Sequence, residues 1–223
     1  MAVIGKNIIS FLKDLKNNNN REWFNENKDR FKESSKEFED FTDNLILKLS
    51  RMDKRLDHLR ASDCIFRIYK DVRFSRDKSP YKTNFGAYIR PGGRKAQSAG
   101  YYIHIEPDGE SMIGAGIYRP ESKELAVLRA HIAENGKKLQ KILNQNEFKK
   151  LYSDLWSDSL KKVPRGYDAE HPMAEYLKYK SIIVSRKFSD RDVISSKFFE
   201  NILNNYKTAK PFNDFINSAF DGN

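Results

Sequence analysis

The feature that most constrains the fold is a change in hydrophobic periodicity about one third of the way along the chain. Before it, Phe24, Phe31, Phe38, Phe41 and Leu45 recur at steps of seven, seven, three and four residues, which keeps one face of a helix apolar. After it, the stretch IFRIYKDVRF alternates apolar and polar side chains, which is typical of a half-buried strand. Helical segments therefore precede a region of strands.

Three further stretches carry strand patterns, and turn residues separate them. FGAYIR predicts a strand, and YYIHIEPDGESMIGAGIY predicts a hairpin about a turn containing Asp108 and Gly109. SIIVSRKF predicts one more strand near the C-terminus. Pro120 is predicted to open a helix that Asn135 and Gly136 end.

Strands that follow one another without helical crossovers favour an antiparallel sheet. The sequence therefore predicts a single α+β domain over 1–223, with a largely antiparallel central sheet flanked by N-terminal and C-terminal helices. No shift in composition marks a domain boundary. The predicted regions are helical over 8–60, sheet over 64–119, and helical with one further strand over 120–223.

Cysteine and histidine usage narrows the class of protein. Cys64 is the single cysteine, which excludes an internal disulfide framework and a Cys-rich zinc site. The histidines have no metal-binding spacing, so we expect no metal and no cofactor.

No apolar run approaches the ~20 residues of a membrane span, and the first residues lack a signal-peptide pattern. We expect a cytoplasmic protein without a membrane partner.

Positive charge is concentrated in two segments of the chain. The formal net charge is +10 and the isoelectric point is about 9.5. Segment 67–95 holds nine Lys and Arg against two Asp, and segment 161–187 holds seven Lys and Arg against three acids. The remainder of the chain is close to neutral. A local surplus of this kind favours an anionic ligand.

The first basic segment, RIYKDVRFSRDKSPYKTNFG, places six cationic side chains beside aromatic residues. Arg67, Asp71 and Arg73 fall on one face of the predicted strand, so we expect Asp71 to orient both guanidinium groups toward a phosphate or carboxylate. A lattice of internal ion pairs is the alternative, although two acids cannot neutralise six bases. The predicted anion-binding residues are Arg67, Lys70, Asp71, Arg73, Asp77, Lys78, Tyr81, Lys82 and Arg165.

A second candidate site lies on the predicted hairpin. Gly114 and Gly116 remove side chains from the face that carries Tyr102, His104 and Glu106, which leaves room for a ligand or for an overlying segment. These three side chains are candidates for proton transfer. The predicted pocket residues are Tyr102, His104, Arg119 and His171.

The basic segment also resembles the hallmark of a bacterial family known as domain of unknown function 2461. The hallmark is Arg-x-x-Arg-Asp-x-Arg-Phe followed by Asp/Asn-Lys and then Tyr, and the corresponding residues here are Arg67, Lys70, Asp71, Arg73, Phe74, Asp77, Lys78 and Tyr81. Lys70 departs from it, because the family pattern has arginine there. NNREWF, PYKTNFGAYIRPGG, GIYRP and PRGYDAEHP resemble further family landmarks. The resemblance implies membership and transfers no catalytic residue.

Three functions are compatible with these observations. The first is binding of a phosphorylated or nucleic-acid ligand at the basic, aromatic-lined site. The second is an enzyme acting on a small anionic metabolite, and the third is a non-catalytic interaction module for an acidic protein partner. Binding to several phosphates would fall steeply with salt, whereas binding of one small anion would fall slowly.

Overall fold

Helices flank a four-stranded antiparallel sheet in the computed structural model, which describes residues 3–73, 75–152, 155 and 158–221. The α+β prediction is confirmed. The strands are β1 (Phe85–Ile89), β2 (Gly100–Ile105), β3 (Ser111–Ile117) and β4 (Ile182–Phe188). The α-helices are α1 (Lys6–Asn17), α2 (Arg21–Glu26), α3 (Lys28–Leu49), α4 (Ala61–Cys64), α5 (Ser122–Leu143), α6 (Asn146–Leu151), α7 (Ala174–Leu177), α8 (Asp190–Val193) and α9 (Phe198–Asn217), and a 3₁₀ turn covers Lys54–Leu56. Within these ranges no helix has the length and apolar character needed to span a membrane.

The sheet has the order β1-β2-β3-β4, and every neighbouring pair is antiparallel. The predicted hairpin between β2 and β3 is confirmed. Asp108 and Gly109 have φ values of 67° and 75° at its turn. Positive φ is the left-handed conformation that Gly adopts freely and Asp tolerates in tight turns.

The inner face of the sheet is apolar and packs on the helices. Ile103, Ile105, Ile113 and Ile117 are fully buried, as the alternation in the hairpin predicts. They belong to two hydrophobic clusters that include residues of α1, α3, α5 and α9. Burying each side chain of this size stabilises the fold by roughly 1.5–3 kcal/mol.

The long N-terminal helix of the sequence prediction is two helices that meet at Asn27. Asn27 has φ −102° and ψ 20°, and it separates α2 from α3. Asn20 caps α2, because its side chain accepts a hydrogen bond of 2.9 Å from Trp23 N. Asn19 instead bonds the backbone of Tyr81 through its amide group.

The strand predicted over IFRIYKDVRF is not formed. Ile65 and Tyr69 make only isolated bridges, to Ala87 and Tyr81 respectively. The alternation reflects burial rather than a hydrogen-bonded ladder, since Ile68 is 4% exposed and Tyr69 is 52% exposed. Position 74, the last apolar position of that pattern, lies outside the described residues.

Helix α5 is interrupted where the sequence predicts its end, and it then continues through Gly136 to Leu143. A Cβ atom at this position would lie 2.2 Å from Met173 Cγ. The glycine therefore allows the Met173 side chain to pack against α5. Asn135 has non-helical angles and marks a kink there.

The close approach of β3 and β4 at Gly116 generates a testable prediction. Gly116 has φ +118°, and an added Cβ would lie 2.0 Å from Ile182 O, whereas Gly109 has φ +75° and open space. We expect Gly116→Ala to lower the free energy of unfolding by about 3 kcal/mol or more, and Gly109→Ala by about 1–2 kcal/mol. Urea unfolding of both variants measures the difference. Equal losses would contradict the packing described at β3 and β4.

Candidate functional site

The outer face of the sheet carries a cavity of about 460 Å³. Its position follows from the strand register, since Gly114 lies on the outer face between Tyr102 of β2 and Ser185 of β4. The missing side chain at Gly114 leaves room for the cavity between its neighbours. We call this site the open-face cavity, and it is lined by Phe66, Lys82, Asn84, Tyr88, Tyr102, His104, Met112, Gly114, Ala115, Gly116, Tyr118, Ile183, Val184 and Ser185.

Three side chains of the β2 region form a hydrogen-bonded line at the cavity. His104 lies between the other two: its Nδ1 is 2.9 Å from Tyr102 Oη, and its Nε2 is 2.8 Å from Glu106 Oε2. Thr83 Oγ1 donates to the second carboxylate oxygen at 2.6 Å. Alternate residues of a strand point to the same face, which is why all three side chains meet. We call them the Tyr102–His104–Glu106 triad.

The environment holds the triad's end groups in defined protonation states near neutral pH. Hydrogen bonding from His104 is the main effect that lowers the pKa of Glu106, and Thr83 acts in the same direction against burial. Burial raises the pKa of Tyr102 to about 12, and the nearby charge of Glu106 adds to the shift. The carboxyl group is therefore ionised while the phenol keeps its proton.

Lys82 supplies the positive charge of the open-face cavity. Its Nζ donates to Arg67 O at 2.8 Å and lies 5.5 Å from the centroid of the Phe66 ring. Burial lowers its pKa, and the charge of Arg67 adds to this effect. In the described part of the chain, no carboxylate pairs with this ammonium group.

Some cationic side chains of the first basic segment form ion pairs within the protein, and the others have no carboxylate partner among the described residues. Asp71 binds Arg73 through both carboxylate oxygens, at 2.9 and 2.7 Å, and Asp77 lies 2.7 Å from Lys70 Nζ. Among the described residues, four cations of the segment then lack a carboxylate partner: Arg67, Arg76, Lys78 and Lys82. Arg67 only contributes at longer range to lowering the pKa of Asp71, so the expected bridge between two guanidinium groups is not formed.

Tyr81 lies inside the core rather than on a binding face. Its ring stacks on Phe24 with centroids 3.9 Å apart, and it is 4% exposed. The stacking surface that the sequence predicts for a ligand is therefore used by another part of the chain.

The remaining predicted residues lie outside the open-face cavity. Arg119 has an exposed guanidinium 5.3 Å from the Tyr118 ring and 3.7 Å from Asp158. Arg165 is exposed beside Gly166, and His171 Nδ1 accepts a hydrogen bond from Met173 N. The structure brings Tyr102, His104 and Lys82 to one site, and none of the Lys and Arg residues of the second basic segment lines it.

Residues of β1 and β4 complete the cavity and were not identified from the sequence. Tyr88 donates a hydrogen bond to Gly116 O at 2.5 Å, and Ile183 and Ser185 line the opposite side. The alternation in SIIVSRKF places the last two on one strand face, but the pairing of β4 with β3 is not readable from it. No group of His, Cys, Asp or Glu within the described residues has a metal-binding arrangement.

Comparison with known proteins identifies a family without an assigned activity. The family model described as "Conserved hypothetical protein (DUF2461)" matches residues 7–215. No curated protein and no solved structure matches the chain. The match includes all the residues that line the open-face cavity.

The lowered pKa of Glu106 generates a prediction about stability. Folding moves the pKa of Glu106 below its ordinary value of 4.5. The ionised carboxylate therefore stabilises the folded state fully above pH 4.5, and this stabilisation is lost as the pH falls through the lowered pKa of the folded protein. We expect Glu106→Gln to be about 1 kcal/mol less stable than wild type near neutral pH, with the difference shrinking in acid.

Urea unfolding between about pH 7 and about pH 2 measures this difference. Glu110→Gln is the matched control, because it removes the same charge from an exposed pair with Lys187. Its effect should stay below about 0.5 kcal/mol. A Glu106→Gln difference that is constant with pH would refute the assigned ionisation.

Proposed function

We propose that the chain, which belongs to the conserved hypothetical protein family DUF2461, binds a small molecule with an apolar body and one anionic group in the open-face cavity. The observation that carries this proposal is the half-buried Lys82 ammonium beside an apolar cavity. A partly buried charge without a counter-charge is costly, and an anion from outside the chain would neutralise it.

The lining of the cavity favours an apolar ligand body. Phe66, Met112 and Ile183 contribute hydrocarbon and thioether surface, and the two glycines of β3 add no side chain to the lining. A volume of about 460 Å³ is within the range of small-molecule sites, which combine apolar linings with a few polar groups. A ring-sized ligand would bury most of its surface there.

The charge arrangement supports a small anion over an extended nucleic acid. Arg73 and Lys70 are paired with carboxylates, and Arg67 and Arg76 are exposed outside the cavity lining. Among the described residues that line the cavity, Lys82 is the one Lys or Arg. A carboxylate or a phosphate monoester presents the same acceptor oxygens to a lysine, so both belong to the proposed ligand class.

Proton-transfer catalysis on such a ligand is a second candidate function. The Tyr102–His104–Glu106 triad favours it, because its hydrogen bonds connect a hydroxyl at the cavity to a carboxylate through an imidazole. General acid–base catalysis requires such groups within hydrogen-bond reach of the bound molecule. Turnover of a ligand that binds at Lys82 would be its test.

Two lysines of the same segment allow a matched test of anion binding. Lys82 Nζ donates to Arg67 O and Lys78 Nζ donates to Val72 O, but only Lys82 lines the cavity. We expect Lys82→Met to weaken binding of phenyl phosphate and of benzoate by about tenfold or more, because a charge-assisted hydrogen bond is lost. Lys78→Met, which removes the same charge, should leave both affinities unchanged. Isothermal titration calorimetry measures them.

Inorganic phosphate and a mixed-sequence oligonucleotide distinguish the alternatives in the same assay. The proposal predicts weaker binding of inorganic phosphate than of phenyl phosphate, since the bare ion lacks the apolar body. Equal losses in the two lysine variants would contradict it. Oligonucleotide binding that falls steeply with salt, without binding of the aromatic anions, would support the nucleic-acid function instead.

A further inference from the structure

The Tyr102–His104–Glu106 triad fixes where its protons lie. Glu106 is an ionised carboxylate, which accepts hydrogen bonds and has none to donate. Its Oε2 is 2.8 Å from His104 Nε2, so that ring nitrogen carries the hydrogen. This assignment follows from the chemistry of the partners.

The other ring nitrogen is an acceptor. Tyr102 Oη lies 2.9 Å and Asn84 Nδ2 lies 3.3 Å from His104 Nδ1, and both groups have hydrogens to donate. The amide nitrogen of Asn84 cannot accept a hydrogen bond, so its contact with Nδ1 requires a lone pair on that ring nitrogen. With its hydrogen on Nε2, His104 presents that lone pair, and the Tyr102 hydroxyl hydrogen points at Nδ1.

Tyr102 lines the open-face cavity, and its hydroxyl oxygen is available as an acceptor. Its hydrogen is engaged by His104, while no donor among the described residues bonds the oxygen itself. Tyr88 differs, because its hydroxyl donates to Gly116 O and also accepts from the backbone of Tyr118. The hydroxyl oxygen of Tyr102 therefore keeps acceptor capacity for a ligand, in contrast to that of Tyr88.

We infer that the open-face cavity selects anions whose apolar ring also carries a hydrogen-bond donor, such as a hydroxyl or an amino group. Lys82 binds the anionic group and the Tyr102 oxygen accepts the hydrogen bond from the ring substituent. This inference rests on the proposed function and adds the class of ligand. A site that accepts a hydrogen bond from its ligand binds an analogue without the donor more weakly, because the acceptor atom of the protein is then left unpaired.

Lys82 and Tyr102 share one aromatic neighbour. The Phe66 ring centroid is 5.5 Å from Lys82 Nζ and 6.4 Å from the centroid of the Tyr102 ring. All three side chains line the cavity. A benzene ring that packs against Phe66 would therefore lie near both polar groups.

Substituted benzoates test the inference on the full-length protein. The probes are 3- and 4-hydroxybenzoate, each paired with the methylbenzoate in which a methyl group of similar size replaces the hydroxyl. We expect at least one hydroxybenzoate to bind about three- to tenfold more tightly than its methyl partner. In Tyr102→Phe that preference should disappear, while the affinity for the methylbenzoates is retained.

The outcomes separate this inference from the proposed function. Equal binding of hydroxyl and methyl probes, with a loss in Lys82→Met, would overturn the donor preference and leave anion binding in place. No saturable binding of any benzoate would overturn both. A preference that persists in Tyr102→Phe would assign the donor to a different acceptor and overturn the role of Tyr102.

A second measurement needs neither a ligand nor a variant of Tyr102. Long-range ¹H–¹⁵N spectra of the wild-type imidazoles, recorded at mildly alkaline pH, distinguish protonated from unprotonated ring nitrogens. His104→Asn identifies which signals belong to His104. The inference requires a hydrogen on Nε2 and an unprotonated Nδ1; the opposite tautomer would release the Tyr102 hydrogen toward the cavity and overturn it.

Discussion

The site depends on a sheet whose two faces have different partners. Residues of the inner face, such as Ile103 and Ile113, join the hydrophobic clusters formed with the helices. Residues of the outer face line the open-face cavity instead. Because side chains alternate along a strand, the register that buries the isoleucines also directs Tyr102 and His104 outward. Packing of the core therefore positions the candidate functional groups.

The cationic side chains of the first basic segment fall into two groups: those that pair with carboxylates of the same segment, and Lys82 at the cavity. Asp71 and Asp77 each take one cation of that segment, so Arg73 and Lys70 contribute to its local structure. Such exposed pairs contribute little stability individually. Lys82 differs from them by its position against Phe66 and by the absence of a carboxylate partner in the described region. Position relative to the cavity, and not the number of charges, makes it the anion-binding candidate.

The sequence predicted the hairpin and its buried face because those features depend on local alternation and on the Asp108–Gly109 turn. It also placed Tyr102, His104 and Glu106 on one face, which alternation alone determines. It did not place Lys82 beside them. That placement requires the segment that begins at Phe66 to fold back past β1, and local sequence patterns do not show such a long-range contact. The strand predicted over IFRIYKDVRF was wrong for the same reason. Alternation indicates which side chains are buried, but a strand also requires backbone hydrogen bonds to a partner strand.

A crystal structure of the wild-type protein with bound phenyl phosphate tests the central claim most directly. The account predicts density for the phenyl ring over the backbone of β3 in the open-face cavity, with a phosphate oxygen within hydrogen-bond distance of Lys82 Nζ. Density for the phosphate at exposed arginines such as Arg76, with the cavity holding only solvent, would contradict it.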